Sequence, residues 1–192
     1  MASSSSEVDL PAPRMNVAEY FRTPETLLPQ ELVYGYLREA AAPTPKHQWA
    51  VGELFFHLRT HLAHHRAGHV WMAPIDVILD QDAHLVVQPD LIVVSNERRH
   101  IVTDRVWGAP DLAIEVLSPT LRLGQVDERL TWFARYGVRE CWFVNQPAQE
   151  IEIVTFADGQ VAARTVFEAE QPLRSSVLPE FIVTPGEMLD EP

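Results

Sequence analysis

Three acidic side chains interrupt two short apolar runs near the middle of the chain. Asp90 lies within residues 85–95, LVVQPDLIVVS, while Asp111 and Glu115 lie within residues 109–118, APDLAIEVLS. Both runs have the length and the β-branched residues of buried strands. Because an unpaired carboxylate is costly to bury, these residues need a cation, a hydrogen-bond network or a cleft. Two adjacent strands that aim carboxylates at one point would form an oxygen-rich site suited to Mg²⁺.

Asp111 and Glu115 share one face of their strand, because alternate strand residues point the same way. At a rise of ~3.3 Å per residue they lie about 13 Å apart, so one metal ion cannot bind both. Glu115, inside the apolar run, is the better metal ligand. Asp111 is assigned either to capping the end of the strand or to contacting the metal ligands without binding the metal itself. Taken alone, Asp90 could simply form a turn after Pro89, and Glu115 could form an ion pair with Arg129.

Two helices that could position these strands are predicted from apolar spacing. The first covers residues 47–67, where apolar residues recur at intervals of three and four and form one buried stripe. Gly68 is predicted to end this helix. The second helix runs from residue 124 or 125 to 136, and Arg129 lies where it could reach the edge of the buried face.

The strand pattern predicts one mixed sheet in an α/β fold. A strand pair surrounds Glu31, residues 70–80 form one strand, and residues 85–95 form another in which Pro89 marks a bulge or a sheet edge. The strand–helix–strand order of residues 110–145 predicts a parallel pair. We therefore expect a sheet of five to seven strands, with the long helix on one face and the second helix on the other.

Length and composition favour a single soluble domain. The chain has 192 residues, of which 46% are hydrophobic, and the domain is assigned to residues 15–189. Residues 1–14 are predicted to be a disordered tail, and residues 190–192 a loose C-terminus. Since the sequence shows neither a secretory signal nor an apolar stretch that could span a membrane, a cytoplasmic location is expected. The lone Cys141 is consistent with a reducing compartment.

The net charge of −12 argues against a strong free-standing DNA binder. Such proteins usually present a basic face, because neutralising phosphates supplies most of their affinity. A nuclease whose carboxylates are partly neutralised by Mg²⁺ is still compatible with this charge.

Five motifs, taken in order, resemble those of a known family. They are ELVYGYL at 31–37, His47-Gln48, QPDLIVVS at 88–95, GAPDLAIEVLSPT at 108–120, and the run from Arg129 through YGVRECWFV at 136–144. In this order and spacing the chain resembles the Uma family of restriction-endonuclease-like proteins, members of the PD-(D/E)xK nuclease superfamily. The resemblance extends from about residue 17 to residue 189 and implies a restriction-endonuclease-like fold.

The resemblance also implies metal-dependent hydrolysis of phosphodiester bonds, with Mg²⁺ or Mn²⁺ as cofactor. Asp90 and Glu115 match the two acidic positions of the motif, and Glu31 matches an acidic residue near the first strands, so all three are assigned to metal binding and catalysis. From the residues alone, Glu31 is better explained as a solvated strand end. Nucleic acid, in the first place DNA, would be the substrate, and a homodimer would suit cleavage of both strands.

Further site residues follow from the same resemblance. Arg129 stands where the family usually has lysine, and it is assigned to clamping a phosphate or developing charge. Arginine cannot act as a base at neutral pH, so this difference bears on catalytic competence. His47 and Gln48 are assigned to contacts with the substrate or with the residues that bind the metal.

Two other functional classes compete with a nuclease. One is a catalytically degenerate nuclease-fold module that binds nucleic acid or a protein partner. The other is a zinc enzyme built on His57 and His61, which lie one helical turn apart. The chain has no HExxH signature and no cysteine near these histidines, so histidines at the surface or at the edge of the core are the better interpretation.

Overall fold

A computed structural model describes residues 14–24, 26, 28–117 and 123–190. Within these residues the α-helices are Val17–Tyr20 (α1), Pro45–His65 (α2), Leu123–Tyr136 (α3) and Pro185–Leu189 (α4). The strands are Gln30–Val33 (β1), Tyr36–Glu39 (β2), Gly68–Met72 (β3), Val77–Asp80 (β4), Leu85–Val87 (β5), Leu91–Ser95 (β6), Val106–Trp107 (β7), Leu112–Val116 (β8), Glu140–Asn145 (β9), Glu150–Ala157 (β10) and Gln160–Phe167 (β11). The predicted tail and loose C-terminus fall almost entirely outside the described residues. None of the described helices is long and apolar enough to cross a membrane.

The strands form two mixed sheets rather than the single sheet that was predicted. The first has the order β2-β1-β5-β4-β7, and the second has the order β11-β10-β9-β8-β6-β3. Each contains one parallel pair, β4 with β7 and β8 with β9, among antiparallel neighbours. The β8–β9 pair, joined through α3, confirms the parallel pair predicted from the strand–helix–strand order of residues 110–145.

Two runs that were each predicted as one strand pass from one sheet to the other. Residues 70–80, predicted as one strand, divide into β3 of the second sheet and β4 of the first, and residues 85–95 divide into β5 of the first and β6 of the second. Pro89 is therefore neither a bulge nor an edge residue but lies in the connection between β5 and β6. A connection without ladder hydrogen bonds tolerates the missing N–H of proline.

The two long helices cover opposite faces of the second sheet, as predicted. The buried stripe of α2, which includes Leu54 and Leu58, packs against apolar residues of β6, β8, β9 and β10. The buried face of α3, which includes Leu130 and Phe133, packs against residues from the opposite face of the same strands. Burial of both faces explains why β8 and β9 are almost continuously apolar.

The end of α2 differs from the prediction. Arg66 caps the helix in the left-handed conformation with φ of 51°, whereas Gly68 already belongs to β3. A Cβ atom at Gly68 would lie 2.5 Å from the carbonyl oxygen of Val94, so the glycine permits close approach of β3 to β6. The requirement for glycine is a tertiary contact and not a helix stop.

Candidate active site

Asp90, directly before β6, and Glu115, on β8, lie side by side. In the antiparallel β6–β8 ladder, Leu91 is opposite Ile114, and the same register continued by one residue places Asp90 opposite Glu115. The Oδ2 atom of Asp90 accepts a hydrogen bond of 2.7 Å from the Val116 backbone N–H, which fixes the carboxylate at the strand end. The sheet therefore brings together the two carboxylates that stood out in the sequence.

Arg129 reaches this pair from α3 and contacts two carboxylates. Its NH2 atom lies 2.5 Å from Oε1 of Glu31, and its Nε atom lies 3.0 Å from Oε1 of Glu115. Glu31 also accepts a 2.7 Å hydrogen bond from the backbone N–H of Gln88. The interpretation of Glu31 as a solvated strand end is wrong, because its side chain is only 18% exposed and is held by both groups.

The pKa values of both Glu115 and Arg129 are raised, through different balances of burial and neighbouring charge. Burial raises the pKa of Glu115, Arg129 opposes this rise, and the nearby charges of Asp90 and Glu31 add to it. Burial alone would lower the pKa of Arg129, but Glu115 and Glu31 raise it above its ordinary value. The site thus contains a permanent cation among three carboxyl groups, which repel one another when all are ionised.

His47, in the first turn of α2, contacts the cluster through Asp90. Its Nε2 atom lies 3.2 Å from Oδ2 of Asp90, and this contact raises the pKa of His47, which burial opposes. Gln48, the next residue, is exposed in the same turn of the helix.

Several buried polar atoms of this cluster have no hydrogen-bond partner among the described residues. They are His47 Nδ1, Gln88 Oε1 and Arg129 NH1, whereas Glu115 Oε1 lies 3.0 Å from Arg129 Nε. Buried polar atoms normally have partners, and each unpaired one costs about 1–3 kcal/mol. Their concentration at one place is typical of a site whose ligand completes the hydrogen bonds.

The donor chemistry of the cluster fits a magnesium-type ion more closely than zinc. Mg²⁺ commonly binds through one or two carboxylates together with water and substrate phosphates, and Asp90 with Glu115 supplies such a pair. Within the described ranges, no group of three or more His, Cys, Asp or Glu side chains is arranged to hold a metal. The structure therefore does not gather Glu31, Asp90 and Glu115 into one ligand set, since Arg129 contacts Glu31 and Glu115. It likewise shows no such group around His57 and His61.

Asp111 is not brought to this cluster. It is fully buried, and its Oδ2 atom accepts a 2.8 Å hydrogen bond from the backbone N–H of Ser95. Its Oδ1 atom lies 3.3 Å from NH1 of Arg98 and 3.4 Å from NH1 of Arg139. These contacts tie the beginning of β8 to the end of β6, which is the end-cap alternative of the sequence analysis.

Asp111→Asn is expected to lower the free energy of unfolding at neutral pH by about 1–3 kcal/mol, because Arg98 and the Ser95 N–H would lose an ionised partner. Burial raises the pKa of Asp111, but Ser95 and Arg98 outweigh it and the pKa is lowered. A lowered pKa stabilises the protein above the unfolded-state pKa, and this contribution is lost as pH falls through the folded-state pKa. Urea titrations of both proteins should therefore converge at acidic pH. A difference that is independent of pH would contradict the role of the charge.

A network of side chains that supports Glu31 was not predicted from the sequence. The side-chain amide of Gln88 donates to Oδ1 of Asp76 at 2.9 Å, and the hydroxyl of Tyr20 lies 3.0 Å from the same oxygen. Arg105 Nε lies 3.3 Å from the other carboxylate oxygen of Asp76. One signal was available, because Asp76 interrupts an apolar run in the same way as Asp90.

The arrangement of strands and helices defines a class of protein, those with a restriction-endonuclease-like fold. The chain superposes with a TM-score of 0.77 on a crystal structure from Anabaena variabilis, described as a "putative nuclease belonging to DUF820". The alignment covers 91% of this chain and 97% of that chain at 18% identity, so it is the fold that is shared.

The sequence identifies the family within this class. Residues 17–186 match the family Uma2, described as "Putative restriction endonuclease", and the chain belongs to this family. This confirms the family and the fold class that the five motifs indicated. Comparison with curated proteins gave no match.

Proposed function

We propose that the protein is a metal-dependent endonuclease that hydrolyses phosphodiester bonds in nucleic acid, with DNA as the first substrate to test. The observation that carries this proposal is the position of Asp90, directly before β6, beside Glu115 of the neighbouring strand and next to the buried cation Arg129. Membership of a family described by its restriction-endonuclease likeness supports the same class of reaction.

Each residue of the cluster has a role that follows from its contacts. Asp90 and Glu115 would hold Mg²⁺ or Mn²⁺, an ion that polarises a phosphate and lowers the pKa of bound water. Arg129 binds a phosphate oxygen or stabilises negative charge that develops on it, since its guanidinium is always charged. Glu31 holds Arg129 in place, and His47 orients Asp90 through Nε2.

Cleavage of supercoiled plasmid and of single strands tests this proposal directly. The wild type is expected to nick DNA in the presence of Mg²⁺ or Mn²⁺, and Asp90→Ala is expected to lose this activity. Asp82→Ala, at an exposed turn position, is the matched control and should cleave like the wild type. Cleavage that persists in Asp90→Ala would contradict the assignment of the site. If the plasmid is converted to linear product and sedimentation shows that the protein is a dimer, the two results together would support a homodimer that cuts both strands.

A non-catalytic nuclease-fold module is the second candidate. It is favoured by the ion pairs of Arg129 with both Glu31 and Glu115, which already compensate two of the three carboxylates. If the wild type does not cleave DNA and calorimetry shows no binding of Mg²⁺ or Mn²⁺, this candidate is supported. Metal binding that disappears in Asp90→Ala would instead support the endonuclease.

A further inference from the structure

Arg38 is an exposed cation at the rim of the candidate active site. It is the Cα partner of Glu31 in the β1–β2 pair, and residues opposite each other in an antiparallel pair project to the same face. Its side chain is 43% exposed, compared with 14% for Arg129. The two arginines are therefore neighbours that differ in their access to solvent.

One indole ring supports both arginines. The guanidinium of Arg38 lies 6.0 Å from the ring centroid of Trp132, and that of Arg129 lies 5.6 Å from the same centroid. Trp132 is itself buried, so its position is set by the core under α3. Such contacts restrict the orientation of a guanidinium and so reduce the entropy that it loses when it binds a ligand.

Glu128 holds the guanidinium of Arg38 in a fork. Arg38 NH1 donates to Glu128 Oε2 at 2.8 Å, and NH2 donates to Oε1 at 3.2 Å. Both side chains are about two-fifths exposed, and ion pairs as open as this contribute little to stability. The two oxygens of a phosphate diester can take the same fork geometry as a carboxylate.

We propose that Arg38 binds a phosphate of the nucleic-acid substrate beside the bond that is cleaved, and that Glu128 occupies its guanidinium until the phosphate replaces it. This inference rests on the proposed function and deepens it. The chain has a net charge of −12. While Arg38 is paired with Glu128 its positive charge is compensated, and it becomes available to a phosphate only when that phosphate displaces the carboxylate. Arg38 and Glu128 should consequently have opposite effects on substrate binding, which a merely structural ion pair would not produce.

The experiment compares Arg38→Ala and Glu128→Gln in two assays. KM and kcat are measured for Mg²⁺-dependent cleavage, and the Kd of a labelled DNA duplex is measured in EDTA at several salt concentrations. Arg38→Ala is expected to raise KM and Kd about tenfold and to lower the salt slope of binding by about one. Glu128→Gln is expected to lower KM and Kd, because it removes the competing carboxylate, with kcat changed by less than about twofold.

The chain offers a matched control pair. Arg164 and Glu152 form a similar fork across β10 and β11, with Nε–Oε1 and NH2–Oε2 distances of 2.7 and 2.8 Å. Arg164→Ala and Glu152→Gln should leave KM, Kd and the salt slope unchanged.

The outcomes separate this inference from the proposed function. If the wild type cleaves DNA but Arg38→Ala and Glu128→Gln change KM in the same direction, or not at all, the role of Arg38 is overturned and the endonuclease stands. If the wild type neither cleaves nor binds DNA, both are overturned. Arg38→Lys keeps the charge without the fork, so an intermediate Kd would support two-pronged phosphate binding.

Discussion

Glu115→Gln is expected to reduce metal-dependent cleavage by a factor of about 10² to 10³ or more while the protein stays folded. The amide is uncharged, so it cannot complete the carboxylate pair with Asp90. Burial disfavours the charge of Glu115, and Arg129 retains Glu31 as its partner in the variant. The free energy of unfolding should therefore change by no more than about 1 kcal/mol, because removing a buried charge also removes its desolvation cost.

Cleavage and urea unfolding should be measured on the same preparations of this variant. Glu140→Gln is a suitable control, since Glu140 is a fully buried carboxylate at the opposite end of the β8–β9 pair. Glu140 accepts hydrogen bonds from Ser175 and Ser176, so this control should lose stability but keep its cleavage rate. Undiminished cleavage by Glu115→Gln would remove Glu115 from the proposed catalytic site.

Arg129→Met is expected to lower the free energy of unfolding by about 3–5 kcal/mol, because Glu31 and Glu115 would lose the cation that compensates their burial. Mg²⁺ should stabilise this variant more than it stabilises the wild type, since a bound ion can replace the missing positive charge. Urea unfolding with and without Mg²⁺ measures both effects. Arg139→Met, which removes a 57% exposed partner of Asp111, should cost no more than about 1 kcal/mol.

Arg129→Lys separates the charge of Arg129 from its geometry. It keeps the cation between the carboxylates and should remain folded, with cleavage preserved or raised if a lysine-like role is sufficient. Complete loss of cleavage in a folded protein would instead indicate a two-pronged contact between Arg129 and a phosphate.

An Arg129→Met variant as stable as the wild type, with no added response to Mg²⁺, would contradict the view that Arg129 compensates these carboxylates.

Much of the secondary structure could be predicted because its signals are local. The apolar spacing of α2 and α3 is a property of neighbouring residues. Asp90 and Glu115 could be identified for a similar reason, since a carboxylate inside an apolar strand is anomalous without any knowledge of its partner.

The division into two sheets could not be predicted in the same way. A run such as residues 85–95 has the same apolar pattern whether it forms one strand or two strands in different sheets. The alternatives differ only in which distant strands each half pairs with. The first half, β5, pairs with β1 and β4, whereas the second half, β6, pairs with β3 and β8. Local periodicity contains no information about those neighbours.

The sequence by itself determined that Asp90, Asp111 and Glu115 need compensation, and only the tertiary structure decided what compensates them and that Glu31 needs it as well. Glu31 looked like a solvated strand end, yet it is an ion-pair partner of Arg129, which follows 98 residues later. Their contact depends on how the first sheet packs beside α3, a relation set by the whole core. The burial cost of a charge is a property of one side chain, whereas its neutralisation depends on the position of another.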